Sequence, residues 1–475
     1  MTTTRNYNWH QVKPGVWQRH IDEIEQFYST MVVLYEGSGR IYAHPTLASQ
    51  VTQDVESGEW VKTYRELQGE ADKDAWLERT LVRISNGQTG NQWANSDPPA
   101  PNLPTIMFDL HRPAEQSADG SMTIRRDLVF RSPHDVIDGI GTLMMLNNFI
   151  SLASDAYEKG NAYDPPALDG SETSNLSPSY RVAAQIPETP DQAQLDRLKE
   201  MAAQKAAAAS DPNVEILALP YREGDLLPGR HQRLALTLTR EETQQLLKAC
   251  RMAGATPTHV FHAAAAMVVR DLQNKPITVK RVRYINYILR NERSSCQEPY
   301  NTARHPATVY HSVSGQSLVV DMDLHPASIK PDAQTRKKEF LSILEIVKDF
   351  YLTVKQDEEF YVLAPTMFSQ ATPSLPSGPR PLPVPEPNAH PSVSISSMGR
   401  TDAIVAPEAG AFEARDPWVT GEELGNGLGL FLGTFQGELC LSAAYNDAWH
   451  TETDAKEYLE RCKDVVFSGL GITEP

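Results

Sequence analysis

Segments with the pattern of strands alternate with segments with the pattern of helices along most of the chain. Apolar and β-branched residues dominate 105–110 and 122–130, as in strands, whereas 190–209 consists almost entirely of good helix formers. The alternation resumes after position 230. This order of elements predicts an α/β (α+β) fold, in which helices pack against mixed sheets.

The chain has 475 residues, more than the roughly 250 to 300 that a single hydrophobic core supports. We therefore predict two lobes, residues 1–215 and 216–475, with the division just after the charged helix at 190–209. A proline-rich passage at 365–391 interrupts the second lobe. Because proline breaks helices and sheet ladders, this passage is predicted to be an extended surface loop.

Local patterns predict the remaining elements. Those of the first lobe are a helix-like entry at 16–28, a strand at 31–35, and helices at 47–67 and 73–84. Those of the second lobe are a strand at 233–238, helices at 240–253, 257–272, 337–354 and 453–467, strands within 277–289 and at 317–322, and a hairpin that turns at Gln436-Gly437.

The charge of the chain argues against two classes of partner. The formal net charge is −17 at pH 7, and no Lys/Arg cluster locally reverses the resulting field. We expect neither nucleic acid nor an anionic membrane as a partner. A local basic patch for a phosphorylated cosubstrate remains compatible with the 44 Lys and Arg residues.

Cysteine spacing and hydropathy give further expectations. The four cysteines are far apart and show none of the short spacings that metal or redox sites use, so buried free thiols and no metal are expected. No apolar run reaches the roughly 18 residues that span a bilayer, and the N-terminal residues lack an apolar signal core. The prediction is a cytoplasmic protein.

The segment Phe130-Arg131-Ser132-Pro133-His134-Asp135-Val136-Ile137-Asp138-Gly139 joins a predicted strand to a predicted helix. A histidine in such a turn is held by backbone on both sides, as a general base must be. Its ordinary pKa near 6.5 leaves it largely neutral at cytosolic pH and able to accept a proton. The alternative is that His134 is an ordinary capping or packing residue.

The pattern His-x-x-x-Asp-Gly, about a third of the way along the chain, resembles the signature of the coenzyme A-dependent acyltransferase superfamily. That superfamily includes chloramphenicol acetyltransferase, the plant BAHD acyltransferases and the condensation domains of peptide synthetases. Segments along most of the chain share the resemblance, among them 16–28, 243–272, 286–290, 393–399 and 434–447. The overall pattern looks most like the fungal trichothecene 15-O-acetyltransferase branch.

The resemblance implies two chloramphenicol-acetyltransferase-like lobes, each a mixed sheet backed by helices, with the active site in a tunnel between them. It implies an O-acyltransferase in which His134 takes the proton of an acceptor hydroxyl while the oxygen attacks a thioester. The implied donor is acetyl-CoA as a cosubstrate, and no tightly bound cofactor is expected. The implied acceptor is a small hydroxylated secondary metabolite such as a trichothecene-like sesquiterpenoid. A monomer is expected.

Further residues receive roles from the same resemblance. Asp138 is expected to be structural, capping the following helix and pairing with an arginine; Arg290 is the candidate partner, with Arg293 the alternative. Gly139 is expected to permit close approach of substrate or backbone, or to adopt a positive φ. Ser396 and Ser397 are candidate oxyanion donors, although Ser-Ser pairs are also common in turns.

Two departures from the superfamily pattern argue against two of its branches, the condensation domains and the plant enzymes. Condensation domains usually carry a second histidine just before the first, and Pro133 stands there in this chain. The Asp-Phe-Gly-Trp-Gly segment of the plant enzymes is absent. Two alternatives stay open: a condensation-type enzyme that uses a carrier-bound acyl donor to form an amide or ester, and a non-catalytic binding module.

Overall fold

A computed structural model of the protein describes residues 5–34, 45–54, 58–96, 98, 106–116, 122–166, 169–224, 227–373, 392–423 and 425–472. The helices and strands up to position 216 are, in chain order, β1 (His10–Lys13), β2 (Val16–His20), α1 (Glu23–Leu34), β3 (Gln50–Gln53), β4 (Trp60–Arg65), α2 (Glu70–Thr80), β5 (Leu81–Ile84), α3 (Gly90–Asn95), β6 (Ile106–His111), β7 (Glu115–Gln116), β8 (Met122–Thr123), β9 (Arg126–Arg131), α4 (Gly139–Lys159), α5 (Tyr180–Ala183), α6 (Gln192–Ala209) and β10 (Glu215–Ile216).

Those that follow are β11 (His231–Thr237), α7 (Arg240–Met252), α8 (Pro257–Asp271), β12 (Lys280–Asn286), β13 (Leu289–Asn291), β14 (His311–Val313), β15 (Leu318–Leu324), α9 (Ala333–Gln356), α10 (Phe360–Ala371), β16 (Val393–Arg400), β17 (Glu408–Ala409), β18 (Phe412–Glu413), β19 (Leu428–Phe435), β20 (Glu438–Asn446) and α11 (Glu452–Leu470).

The larger sheets combine parallel and antiparallel pairs. Their strand orders are β1-β2-β4-β3, β5-β6-β9, β10-β12-β15 and β11-β20-β19-β16. The pairs β5·β6, β10·β12 and β16·β19 are parallel, and their neighbours are antiparallel. The fold is therefore α/β with mixed sheets, as the alternation of elements predicted.

Helix α8 forms the centre of the largest hydrophobic core. Every residue from Val260 to Arg270 is buried, because α8 packs against β12 and β15 on one side and against α9 and α11 on another. A helix that is apolar all round needs such an environment. Its one buried cation, Arg270, pairs with Glu339 of α9 and with Asp271.

The predicted division at 215/216 stays a prediction, and contacts cross it at two places. Helix α1 packs against α10. Asn95, at the end of α3, exchanges two hydrogen bonds of 2.8 Å with the backbone of Arg233 in β11.

Three early elements differ from the prediction. The predicted helix at 47–67 is instead the antiparallel pair β3 and β4, in which Gln50 lies opposite Thr63. The β-branched residues of this segment favour strands once a neighbouring strand is present. The predicted strand at 31–35 begins as the last turn of α1, up to Leu34, and the predicted helix-like entry at 16–28 starts as strand β2.

The proline-rich passage begins later than predicted. Residues 365–371 belong to α10, with Pro365 inside the helix and buried against its neighbours. Proline at this position follows the first turn of α10, so few intrahelical hydrogen bonds are lost. Residues 374–391 lie outside the described part of the chain.

Candidate active site

The turn between β9 and α4 carries the predicted base. Asp138 caps α4: its φ of −95° and ψ of 175° are extended, and its Oδ1 accepts a 2.8 Å hydrogen bond from the amide of Gly141. Such a cap satisfies an amide that the helix itself cannot pair. The cap fixes where the turn ends and the helix begins.

The second carboxylate oxygen of Asp138 accepts hydrogen bonds from two residues of the second predicted lobe. Arg293 Nη1 and the amide of Tyr310 each donate to Oδ2 at 2.9 Å. Burial alone would raise the pKa of Asp138, but the Arg293 guanidinium outweighs it, and the pKa lies below its ordinary value. Asp138 is therefore an ionised, buried group whose two oxygens are both hydrogen-bonded within the protein.

The prediction that Arg290 is the partner of Asp138 is wrong, and the alternative, Arg293, is the partner in the structure. Arg290 lies in the short strand β13, where its guanidinium pairs with Glu292 at 2.7 Å and donates to the carbonyl of Val354. Arg293 follows in a 3₁₀ turn that carries its side chain into the interior beside Asp138. The 3₁₀ turn, rather than the strand before it, therefore supplies the arginine that pairs with Asp138.

His134 is exposed to solvent while the four residues after it are buried. Even so, its ring stacks on Tyr28 with centroids 4.2 Å apart and lies 4.9 Å from His311. The imidazole is therefore reachable from solvent although aromatic rings border it. Desolvation by the surrounding protein lowers the pKa of His134, with Asp138 acting in the opposite direction.

A hydrogen bond to its own backbone raises the pKa of His134 in part, against the larger effect of desolvation. In a neutral imidazole one of the two ring nitrogens keeps a lone pair that can accept a proton. With its lowered pKa, the ring is neutral at neutral pH. The geometry therefore provides a proton acceptor.

Beneath the turn lies a buried cluster of charges from the first sheet and α1. Lys62 Nζ donates to the carbonyl of Asp135 at 2.9 Å and to Glu25 at 2.5 Å, and Arg19 holds Glu25 with two bonds of 2.6 and 2.7 Å. Ser29 Oγ donates to the Asp135 carboxylate at 2.9 Å. These bonds fix the backbone next to His134.

Sequence reasoning missed the aromatic neighbours of the base. Tyr28 in α1 and His311 in β14 are 5.3 Å apart and form a triangle of rings with His134. Phe368 of α10 borders both at 6.2 and 6.4 Å. These residues come from three distant segments, and no spacing in the sequence points to them.

His311 is neutral for a physical reason. Burial, together with repulsion from a proton on His134, lowers the pKa of His311 to about 3. Its Nε2 is shielded from solvent and has no hydrogen-bond partner among the described residues. His311 is therefore uncharged at neutral pH, and His134 is the ring that we expect to accept an additional proton.

Of the two expectations for Gly139, a positive φ is wrong, and close approach of substrate stays a prediction. The φ of Gly139 is not positive, and an added Cβ would lie 3.4 Å from Met398 Cε and 3.5 Å from Val419 Cγ1, which is ordinary contact. At Gly141 an added Cβ would lie 2.1 Å from the carbonyl oxygen of Pro306. Gly141, which was not predicted, is the position that requires glycine.

The two candidate oxyanion serines lie on β16. Ser397 Oγ shares a 2.9 Å hydrogen bond with Thr258 Oγ1 at the start of α8. Ser396 pairs in register with Phe431 of β19 and is partly buried. Their role as oxyanion donors stays a prediction.

A cavity of about 580 Å³ lies next to the turn. Its lining combines Arg125 and Leu143 with residues of β11, β16, β19, β20 and the segment 413–419. It does not include His134; its nearest approach to the turn is through Met398 and Val419, the neighbours of Gly139. Residues from both predicted lobes therefore enclose one space.

The described residues provide neither a metal site nor a helix that could cross a membrane. Within the described ranges, no three His, Cys, Asp or Glu side chains form a group that could hold a metal ion. Of the helices that the structure describes, none is long and apolar enough to cross a membrane. Cys250, Cys296 and Cys462 are buried free thiols, and Cys440 is half-buried.

Two curated proteins match nearly the whole chain. No protein-family model matches it. Among curated proteins, the O-acetyltransferase pigM of Monascus ruber is 24% identical over 98% of this chain and 87% of its own length. The acetyltransferase pigO of the same organism is 22% identical over 98% of this chain and 99% of its own length.

Solved structures share the fold. The TRI3 trichothecene 15-O-acetyltransferase from Fusarium sporotrichioides superposes with a TM-score of 0.76 at 16% identity, covering 98% of this chain and 97% of that one. The first condensation domain of the CDA synthetase superposes with a TM-score of 0.53 at 15% identity, covering 94% and 87%.

The fold is that of the trichothecene 15-O-acetyltransferase TRI3 and of the condensation domain, which confirms the resemblance drawn from the sequence. The protein is an acyltransferase enzyme, as predicted. Its relatives include the acetyltransferases pigM and pigO, and the structure of the trichothecene branch superposes over almost its full length.

Proposed function

We propose that the protein is an O-acetyltransferase that moves an acetyl group from acetyl-CoA to a hydroxyl of a small secondary metabolite, with His134 as general base. One observation carries this proposal: a neutral imidazole, bordered by the ring of Tyr28 and exposed to solvent, lies on a turn held by the Asp138 cap and by the bond from Lys62 to Asp135. The acetyltransferase relatives support the acyl group, and the trichothecene branch supports a hydroxylated sesquiterpenoid as acceptor.

In the proposed reaction, His134 takes the proton of the acceptor hydroxyl while its oxygen attacks the thioester carbonyl carbon. The tetrahedral intermediate then collapses, the carbon–sulfur bond breaks, and the imidazolium returns the proton to the thiolate of CoA. No covalent acyl-enzyme forms. The negative charge of Asp138 favours the imidazolium while it exists.

Ser396 and Ser397 are the proposed donors to the oxyanion, since β16 carries them beside Met398 and therefore close to Gly139. No tightly bound cofactor and no metal are required by this chemistry. We further propose a cytoplasmic monomer that takes acetyl-CoA and the acceptor through a tunnel between the two lobes.

The test is CoA release from acetyl-CoA with a panel of hydroxylated terpenoids and amines. His134→Ala is expected to lower kcat by roughly 10²- to 10⁴-fold on the hydroxyl substrates. His10→Ala serves as the control, because His10 lies on the edge strand β1 and, among the described residues, its ring has hydrogen bonds to Asn6 and to the carbonyl of Asn8. Full activity of His134→Ala would refute the assignment of the base.

Other outcomes point to the other functions. Turnover with amines or carrier-bound thioesters alone would indicate the condensation-type enzyme. Binding of CoA without turnover on any acceptor would indicate the non-catalytic module.

A further inference from the structure

The cavity beside Gly139 is lined by four arginines: Arg125, Arg233, Arg240 and Arg415. Three of them are paired with carboxylates. Arg125 lies 3.3 Å from Asp127, Arg240 lies 3.7 Å from Glu438, and Arg415 lies 3.0 Å from Glu413. The three side chains are also exposed, so solvent screens their charge and none of them marks a ligand by itself.

Arg233 differs from the other three arginines. It is 4% exposed, and in the described part of the chain no carboxylate lies within ion-pair distance of it. Its Nη1 donates to Asn91 at 3.0 Å, and its Nε has no hydrogen-bond partner among the described residues. The guanidinium lies 4.5 Å above the ring of Trp418, which also lines the cavity.

A buried cation without a counter-ion is costly, because the protein interior solvates charge poorly. Burial accordingly lowers the pKa of Arg233. Cys440 and Asp416, which also line the cavity, offset this only partly. Burial raises the pKa of the Cys440 thiol and of the Asp416 carboxyl, which disfavours the anionic form of both groups. The cavity therefore holds one cation that its own residues leave uncompensated.

The opposite end of the cavity is apolar. Leu143, Met398 and Val419 line it next to Gly139, and Phe431 continues the apolar wall. A ligand that suits this space has an anionic group at Arg233 and an uncharged part toward the turn. Arginine is the side chain best suited to oxyanions, since its planar donors match phosphate and carboxylate oxygens.

We infer that this cavity binds an oxyanion of one of the two substrates and that Arg233 holds it. The inference rests on the proposed function for the identity of those substrates. A phosphate of the CoA donor and a carboxylate on the acceptor share this chemistry, and the experiment separates them.

The measurement is equilibrium binding of CoA, dephospho-CoA, pantetheine and pyrophosphate to the full-length protein, by calorimetry and by Trp418 fluorescence at constant ionic strength. Arg233→Met keeps the length of the side chain and removes the charge. We expect it to weaken CoA binding on the order of 10- to 100-fold and to leave pantetheine binding unchanged. Arg233→Lys is expected to retain part of the affinity for CoA.

Asn91→Ala is the matched control: it removes the hydrogen bond to the Arg233 guanidinium but keeps the cation. CoA binding within about twofold of the wild type is expected for it. If Arg233→Met does not fold, competition between pyrophosphate and CoA in the wild type, with Trp418→Phe to identify the fluorescence signal, decides the matter.

The outcomes separate this inference from the proposed function. A changed affinity for CoA assigns the oxyanion to the donor, and a raised KM only for acceptors with a carboxylate assigns it to the acceptor. Folded Arg233→Met that binds every probe like the wild type and leaves the KM of every acceptor unchanged overturns the inference, even if the enzyme turns over. Failure of turnover with all donors, including acetyl-pantetheine, would refute the proposed function and leave the binding result standing.

Discussion

Arg293 donates to Asp138 at 2.9 Å across 155 positions of the chain, and both side chains are about 95% buried. This ion pair joins the cap of α4 to the 3₁₀ turn after β13 and so connects the two predicted lobes directly behind His134. The pair holds the turn in place; neither group has the freedom to act on substrate.

Asp138→Asn should destabilise the protein strongly, because it leaves the Arg293 cation buried and unpaired. The expected loss in the free energy of unfolding is about 3 to 5 kcal/mol, measured by urea denaturation. The double variant Asp138→Asn with Arg293→Met removes both charges and should recover part of that loss. Equal losses in the single and double variants would show that the ion pair is not what stabilises the turn.

The pH profile of kcat/KM should have an acid limb set by His134. The neutral ring is the active form, so activity falls as pH decreases through its pKa and is flat on the alkaline side. Because desolvation lowers that pKa, the midpoint should lie below the ordinary value of 6.5. Measurement from about pH 5 to about pH 8 spans the transition; a midpoint above 6.5 would contradict the desolvated base.

His311→Phe tests whether the second imidazole is uncharged. The substitution keeps a ring of similar shape against Tyr28, Phe368 and His134. Since the pKa of His311 lies at about 3, it carries no proton in the working range, and the acid limb should stay where it is in the wild type. An acid limb displaced by about one pH unit would mean that His311 carries charge.

The sequence was informative wherever a few adjacent residues decide the structure. The turn before α4, the cap by Asp138 and the hairpin at Gln436-Gly437 were all predicted, and both hairpin residues adopt the positive φ that such turns require. Pro257 stands in the first turn of α8, as its missing amide predicts.

Features that depend on distant segments were not accessible in this way. Nothing in the sequence brings His311 or Tyr28 to His134, because β14 and α1 reach the turn only through tertiary packing. The choice of Arg290 over Arg293 failed because the 3₁₀ turn between them decides which side chain points inward. The prediction of a helix at 47–67 failed because β4, which lies in this segment, pairs with β2, and the local pattern does not show that neighbour.

Gly139→Ala and Gly141→Ala give a paired test of how the turn is packed. A Cβ at position 141 would meet the Pro306 carbonyl at 2.1 Å and Arg293 Nη2 at 2.9 Å, so the backbone must shift and the ion pair with it. Overpacking of this kind costs about 1 to 3 kcal/mol or more. A Cβ at position 139 meets only the flexible end of Met398 and one methyl group of Val419 at ordinary distances.

Thermal denaturation of the two variants should therefore separate them, with a clear loss of Tm for Gly141→Ala and a small change for Gly139→Ala. Activity should follow the same order, because displacement of the Asp138–Arg293 pair also displaces His134. If Gly139→Ala loses activity while its Tm is unchanged, then the space beside Met398 and Val419 belongs to a substrate, and Gly139 is needed for access rather than for folding. If Gly141→Ala is as stable as the wild type, the close approach of Pro306 to α4 does not hold the turn.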